Sequence, residues 1–187
     1  TPQELRSSIL QLAIQGKLVE QRPEEGTAEE LYWRIQEEKQ RLIQEGKIKK
    51  EKPLPEIAEE EKLFDIPNGW IWVRLGDVCN IINGFTLRKT NPEFWEKGTI
   101  PWFTIDDIHK QGRFIKYTKQ HITDKAIPQN SERIVPPNTV LLCCTASVGE
   151  YAYTEISLTT NQQFNALVIK QQYSSLLYPM YLYEFVQ

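Results

Sequence analysis

Phe64-Asp-Ile-Pro-Asn-Gly-Trp-Ile-Trp-Val-Arg-Leu75 is the stretch at which the sequence changes from a helical to a strand-like pattern. Its turn residues, Pro67-Asn-Gly69, precede an alternation with a period of two, which predicts a β-strand. One side of this strand would carry Trp70, Trp72 and Arg74, and the other Ile71, Val73 and Leu75. We therefore predict a helical segment over residues 1–63 and a separate domain over residues 64–187.

The first 63 residues contain the signals of two helices. Thr1-Pro-Gln-Glu4 is a capping box with proline at the first helical position, and the apolar stripe that follows it ends near Gly16. Thr27-Ala-Glu-Glu30 is a second capping box, and we expect its helix to end near Gly46. Lys47–Glu61 then alternates basic and acidic blocks with few large apolar residues. This composition predicts an exposed and mobile linker.

The remaining residues are rich in aromatic and β-branched side chains, with turn signals at short intervals. Predicted strands are Thr99–Thr104, Gly112–Thr118, Thr139–Thr145, Glu150–Tyr153 and Phe164–Lys170, and predicted short helices are Gly76–Ile81 and Leu176–Val186. Strands do not alternate regularly with long helices, and no internal repeat is visible. The sequence therefore predicts an α+β fold, an irregular mixed sheet with short helices, preceded by an N-terminal helical segment.

The charge of the chain is unevenly distributed. The formal net charge is −3, yet residues 84–133 contain nine basic and six acidic side chains. Sequence-independent binding to nucleic acid requires a far larger basic excess. The weak local excess is typical of a module that borrows phosphate affinity from partner subunits, and equally of an ordinary mixed surface.

The cysteines and the hydropathy favour a cytoplasmic protein without a membrane-spanning segment. Cys79, Cys143 and Cys144 have no Cys-x-x-Cys spacing, which favours reduced thiols. No apolar run approaches the length of a membrane span, and Thr1–Arg6 lacks the features of a signal peptide.

Three groups of motifs, taken in order, resemble the specificity subunits of type I restriction–modification systems, and the resemblance covers nearly the whole chain. The first group is Ser8–Val19 with Glu38-Lys39, Leu42-Ile43 and Gly46–Lys50; the second is Ile66–Trp70, Trp72–Gly76 and Gly84–Thr86; the third is Ile134–Val140, Ser147–Gly149, Thr160–Gln162 and Phe164.

The resemblance implies a domain that recognises one half of a bipartite site in double-stranded DNA. It also implies helices that space two such domains and bind methyltransferase subunits, with restriction subunits joining through the complex. Family members carry two recognition domains, whereas this chain contains one. We therefore expect it to represent part of such a subunit.

Candidate DNA-binding residues lie at positions between Gly84 and Gln163. The segment Gly84–Thr90 combines a glycine turn with hydroxyls and two adjacent cations. Arg88 can form two hydrogen bonds to guanine, and Lys89 can form an ion pair with a phosphate. Trp102 is as easily a core residue as a DNA contact, and an aspartate of Asp106-Asp107 can accept from a cytosine amine. Asn161 and Gln162 are interpreted as framework residues. The full set of candidates is Thr86, Arg88, Lys89, Thr90, Trp102, Thr104, Lys110, Arg113, Thr145, Ser147 and Gln163.

Enzymatic motifs are incomplete, so we predict no catalytic residues, no metal site and no cofactor. Asn91-Pro-Glu-Phe94 resembles an amino-methyltransferase motif but has Glu93 where that motif has a second proline. His109 and His121 lack ligand spacing with any cysteine or carboxylate cluster. Two other hypotheses stay open: a protein-docking platform, and a nuclease fragment built on Glu93, Glu96, Lys97 and Asp106.

Overall fold

The computed structural model describes residues 1–50, 52–129 and 132–187. The chain forms two compact units, Thr1–Val78 and Cys79–Gln187. The division comes later than the boundary predicted after residue 63, so residues 64–78 belong to the first unit. The fold is of the predicted α+β class, with an N-terminal helical segment and mixed sheets.

The helices of the first unit are α1 (Pro2–Ile14), α2 (Ala28–Gln44) and the short α3 (Leu75–Val78). Both predicted capping boxes are present. Glu30 N donates to Thr27 Oγ1 over 3.2 Å, and Thr27 N donates to Glu30 Oε2 over 3.1 Å. The two long helices were predictable because a capping box is a local signal that needs no distant partner.

The predicted strand over residues 70–75 is wrong. Residues 70–74 have no regular secondary structure, and α3 begins at Leu75. The aromatic rings pack individually instead: Trp72 lies 5.0 Å from the ring of Phe64, and Trp70 Nε1 donates to Gln21 Oε1 over 2.7 Å. A period of two marks extended backbone, but a strand also requires a neighbouring strand, and the described part of the first unit contains none.

Arg74 forms hydrogen bonds to the C-terminal end of the predicted linker. Its guanidinium donates through Nη1 and Nη2 to the two carboxylate oxygens of Glu61 over 2.6 and 2.7 Å, and also to the backbone oxygens of Pro55 and Glu56. This fork lowers the pKa of Glu61 to about 2. The linker is exposed over most of its described residues, as predicted. Its mobility stays a prediction, and we now restrict it to the residues before Pro55.

The second unit contains two mixed sheets. The five-stranded sheet has the order β1-β8-β5-β6-β3, and β3 pairs with β6 in parallel while the other neighbours are antiparallel. The three-stranded sheet has the order β4-β2-β7, with β2 antiparallel to β4 and parallel to β7. The strands are β1 (Cys79–Asn83), β2 (Ile100–Phe103), β3 (Phe114–Ile115), β4 (Gln120–Ile122), β5 (Thr139–Cys143), β6 (Tyr151–Thr154), β7 (Thr159–Thr160) and β8 (Phe164–Ile169). The helices of this unit are α4 (Ile105–Gln111) and α5 (Pro179–Phe185).

The predicted strands correspond to β2, β3, β5, β6 and β8, and the predicted C-terminal helix to α5. The helix predicted over Gly76–Ile81 is wrong from Cys79 onwards, because that segment pairs with β8 along its length. The strand predicted over Gly112–Thr118 is reduced to Phe114–Ile115. The sequence also missed β4, β7 and α4, of which β4 and β7 are two or three residues long and depend on pairing with β2.

Two apolar clusters hold the second unit together. The larger lies on the five-stranded sheet and includes Phe103, Leu141 and Phe164, each fully buried. The smaller lies beneath the three-stranded sheet, around Trp102 and Ile122. The ends of β2 and β7 and the segment after β1 therefore stand on a packed base.

Candidate nucleic-acid interface

A cleft of about 380 Å³ opens on the second unit where the segment after β1, the end of β2, the start of α4 and the β7–β8 turn meet. Its wall combines hydroxyl, amide and charged groups with two indoles. The residues that line it are Thr86, Leu87, Lys89, Trp95, Trp102, Thr104, Ile105, Asp106, Gln120, Asn161, Gln162 and Gln163.

The floor of the cleft is aromatic. Trp102 is 4% exposed, and its ring meets those of Phe85 and Trp95 edge-on at centroid distances of 5.0 and 6.0 Å. Trp95 Nε1 donates to Arg88 O over 3.0 Å, which fixes the backbone of the Gly84–Thr90 segment above the rings. Trp102 therefore supports the cleft from within the core.

Gly84 allows this segment to approach the β7–β8 turn. Gly84 N donates to Phe164 O over 2.9 Å, and Phe85 N donates to Thr160 O over 3.2 Å. A Cβ at position 84 would lie 1.8 Å from Asn161 O, which no side chain can occupy. The close approach brings Thr86 and Lys89 to the same cleft as Asn161 and Gln163.

Asp107 holds the start of α4 in place. Its carboxylate is buried and accepts hydrogen bonds from Thr104 N and Lys119 N, each over 2.9 Å. A buried carboxylate in this setting is satisfied by backbone donors and is not available to a ligand. The preceding residue, Asp106, is exposed and lines the cleft.

The β7–β8 turn is stabilised by its own amides. Asn161 Oδ1 accepts from Gln163 N over 3.1 Å, and Asn161 Nδ2 donates to Gln163 Oε1 over 3.0 Å. These bonds give Asn161 a structural role. Gln162, which we interpreted as a framework residue, is exposed on the cleft.

The structure brings five of the eleven candidate residues to the cleft: Thr86, Lys89, Trp102, Thr104 and Gln163. Arg88 and Thr90 are exposed on the same segment without lining it, and Lys110 is exposed on α4. Seven residues that line the cleft are not in the candidate set, namely Leu87, Trp95, Ile105, Asp106, Gln120, Asn161 and Gln162. The sequence carried a signal at Asp106 and at the polar run Asn161-Gln162. Trp95 reaches the cleft by packing its ring against Trp102, and Gln120 reaches it because β4 pairs with β2.

Arg113, Thr145 and Ser147 lie outside the cleft. The Arg113 guanidinium stacks over the Tyr151 ring at 3.9 Å, donates to the Tyr151 hydroxyl and pairs with Glu150 over 3.7 Å. Thr145 and Ser147 belong to the hairpin loop between β5 and β6. That loop leaves the sheet next to Gln163, because Cys144 N donates to Gln163 O over 2.8 Å.

The described residues show neither a metal centre nor a membrane span. No group of three or more His, Cys, Asp or Glu side chains in residues 1–50, 52–129 and 132–187 is placed to hold a metal ion. Within the same ranges no helix is long and apolar enough to cross a membrane. Cys79, Cys143 and Cys144 are free thiols, and burial raises the pKa of Cys79 to about 11.

Residues 67–187 match the family described as the type I restriction modification DNA specificity domain. The chain belongs to this family. The match includes the whole cleft and confirms the resemblance found in the sequence. The family is the DNA specificity domain of type I restriction–modification systems, and the specificity subunits of these systems are non-catalytic components.

Curated relatives of this family member include two specificity subunits from Escherichia coli. The chain is 54% identical to that of the type I restriction enzyme EcoAI over 85 residues, which is 46% of the chain and 14% of the relative. It is 36% identical to that of EcoprrI over 121 residues, which is 65% of the chain and 29% of the relative. The chain thus spans less than a third of these relatives. A crystal structure of the HsdS subunit from Thermoanaerobacter tengcongensis aligns with a TM-score of 0.49 at 23% identity, covering 67% of this chain and 29% of that one.

Proposed function

We propose that this chain recognises one half of a bipartite site in double-stranded DNA, and that it directs methyltransferase and restriction subunits to that site in the cytoplasm. The observation that carries the proposal is the cleft within the family-matched region. It presents a lysine, a carboxylate, amides and hydroxyls on a rigid aromatic base.

The composition of the cleft is suited to base edges. Amides can pair with adenine through its N6 and N7 atoms, hydroxyls can donate or accept, and a lysine can meet guanine or a phosphate. Because Trp102 and Asp107 are held by packing and backbone hydrogen bonds, the polar groups above them are pre-organised for a ligand.

The small basic excess of the second unit indicates that partner subunits contribute to DNA affinity. The second unit has ten Lys or Arg residues against nine Asp or Glu, which is too small an excess for tight binding by phosphate contacts alone. Partner subunits would supply the remaining phosphate affinity, together with methyl transfer and cleavage.

Selection of bound sequences from random duplex DNA tests the proposal. The full protein that carries this chain, assembled with methyltransferase subunits, is expected to enrich a bipartite motif. Exchanging residues 79–187 for the same unit of a relative should change one half of that motif and leave the other intact. A motif that stays unchanged after the exchange would refute half-site recognition, and binding without any motif would favour the docking-platform hypothesis.

A further inference from the structure

Asp106 and Lys89 are the charged side chains that line the cleft. In the part of the chain that the structure describes, the Asp106 carboxylate has no hydrogen bond or ion pair. Lys110 lies one helical turn further along α4, at the i+4 position, yet Asp106 makes no ion pair with it within these described residues. The exposed Asp106 carboxylate is therefore open to a hydrogen-bond donor on a ligand that enters the cleft.

A carboxylate on such a surface is repelled by phosphates, so it is favourable only where a base donates a hydrogen bond to it. In the major groove the bases that donate are cytosine, through its N4 amine, and adenine, through its N6 amine. Adenine also presents the N7 acceptor beside its amine, and two acceptors repel each other. Cytosine presents its amine without a second acceptor on the same edge.

We propose that Asp106 is a specificity-determining residue that accepts a hydrogen bond from the N4 amine of a cytosine in the recognised half-site. The inference rests on the proposed function and assigns one base chemistry to the same cleft. Lys89, of opposite charge on the same wall, meets the backbone phosphate.

The local structure gives Asp106 a fixed position. Its neighbour Asp107 points inward and joins the end of β2 to the backbone at Lys119, which anchors the first turn of α4. Ile108, on the same turn, is 7% exposed and packs in the larger core cluster. A carboxylate on an anchored turn discriminates more sharply than one on a free loop, because the wrong base leaves it desolvated and unpaired.

The substitution Asp106→Asn tests the proposal in the assembled complex. It keeps the shape and removes the charge, and its amide can both donate and accept. We expect the preference for cytosine at one position of the half-site to fall by roughly 5- to 150-fold. Affinity for unrelated duplex should rise, because a negative charge has been removed.

Asp124→Asn is the matched control. Asp124 is an exposed aspartate of the same unit that does not line the cleft, so its substitution removes the same charge without touching the proposed contact. We expect its effect on unrelated duplex to be no larger than that of Asp106→Asn, with the selected motif unchanged. If both variants leave the motif unchanged while the wild-type complex selects one, the role of Asp106 is refuted and the proposed function stands.

A change in the DNA tests the same contact without altering the protein. Replacing the selected cytosine by pyrimidin-2-one, which lacks the amine, should weaken wild-type binding and have little further effect on Asp106→Asn. Equal losses of affinity for the wild-type and Asp106→Asn complexes would overturn the proposal. It would also be overturned if Asp106→Asn changed the preference at an adenine position of the motif and not at a cytosine position. If the wild-type complex selects no motif at all, the proposed function itself fails.

Discussion

At the scale of single residues, side chains that are adjacent in sequence have different environments at the cleft. The Asp107 carboxylate accepts hydrogen bonds from two backbone amides, whereas the neighbouring Asp106 is exposed and lines the cleft. Lys89 lines the cleft, whereas the adjacent Arg88 contributes a backbone oxygen to Trp95 and leaves its side chain exposed. The sequence identifies the pairs Asp106-Asp107 and Arg88-Lys89 as candidates. Which side chain of each pair points into the cleft depends on tertiary packing, which the sequence alone does not reveal.

Lys89 and Arg88 are expected to differ in how they affect binding. Lys89→Ala should weaken binding about equally for all sequences and reduce the slope of log affinity against log salt by about one. Arg88→Ala should cost about 1–3 kcal/mol of binding free energy and relax preference at one base position, because a guanidinium can pair bidentately with guanine.

The measurement is a salt titration of duplex binding by the assembled complex. Lys116→Ala, at an exposed lysine outside the cleft, is the control and should leave the slope unchanged. If neither Lys89→Ala nor Arg88→Ala alters affinity or preference, the Gly84–Thr90 segment does not contact DNA.

At the scale of elements, the parts that could be predicted are those whose signals are local. Helices α1 and α2 follow capping boxes, and β5 and β8 are apolar runs long enough to be recognised. The alternation over residues 70–75 did not form a strand, because the described part of the first unit contains no neighbouring strand with which it could pair. The cleft itself is assembled by pairing across β2 with β4 and β7, and a single sequence does not reveal such pairing.

Gly84 leaves no room for a side chain at the point where the segment after β1 meets the β7–β8 turn. Gly84→Ala places a Cβ against the backbone of Asn161 and should lower the free energy of unfolding by about 1–3 kcal/mol or more, as overpacking does. Gly76→Ala is the control, because its Cβ would meet the flexible end of the Leu54 side chain at 2.9 Å. Urea denaturation compares them, and equal stability of the two variants would contradict the close approach.

The Arg74–Glu61 ion pair makes the stability of the segment 55–61 depend on pH. The folded pKa of Glu61 is lowered to about 2, chiefly by hydrogen bonds from Arg74, against an ordinary value of 4.5. A lowered folded pKa stabilises the folded state above the unfolded pKa, so this contribution is lost as the pH falls from about 4.5 to about 2.

Carboxyl titration by NMR should place Glu61 near 2 in the native chain and near its ordinary value in Arg74→Ala. Amide exchange should be slow at Ala58, Glu61 and Lys62, whose N–H groups are hydrogen-bonded, and fast over residues 49–50 and 52–54. Protection spread evenly from residue 47 to residue 61 would contradict the mobility of the linker.

At the scale of the whole molecule, opposite charges lie in the two units. Residues 1–78 have twelve Lys or Arg against sixteen Asp or Glu, and residues 79–187 have ten against nine. An acidic unit does not attract the DNA backbone, and a nearly neutral one attracts it weakly. The distribution is consistent with a chain that contributes sequence preference while other subunits contribute much of the affinity.

The 187-residue chain alone is therefore expected to bind duplex DNA weakly and with steep salt dependence. Each phosphate contact contributes about −0.9 to the slope of log affinity against log salt, so a few contacts make binding fade between low and physiological salt. Fluorescence anisotropy with a labelled duplex measures the slope for the chain and for the assembled complex. The complex should show the steeper slope, because its partner subunits add phosphate contacts. Tight binding by the chain alone at physiological salt, with a flat salt response, would contradict the division of labour and place the affinity in the cleft.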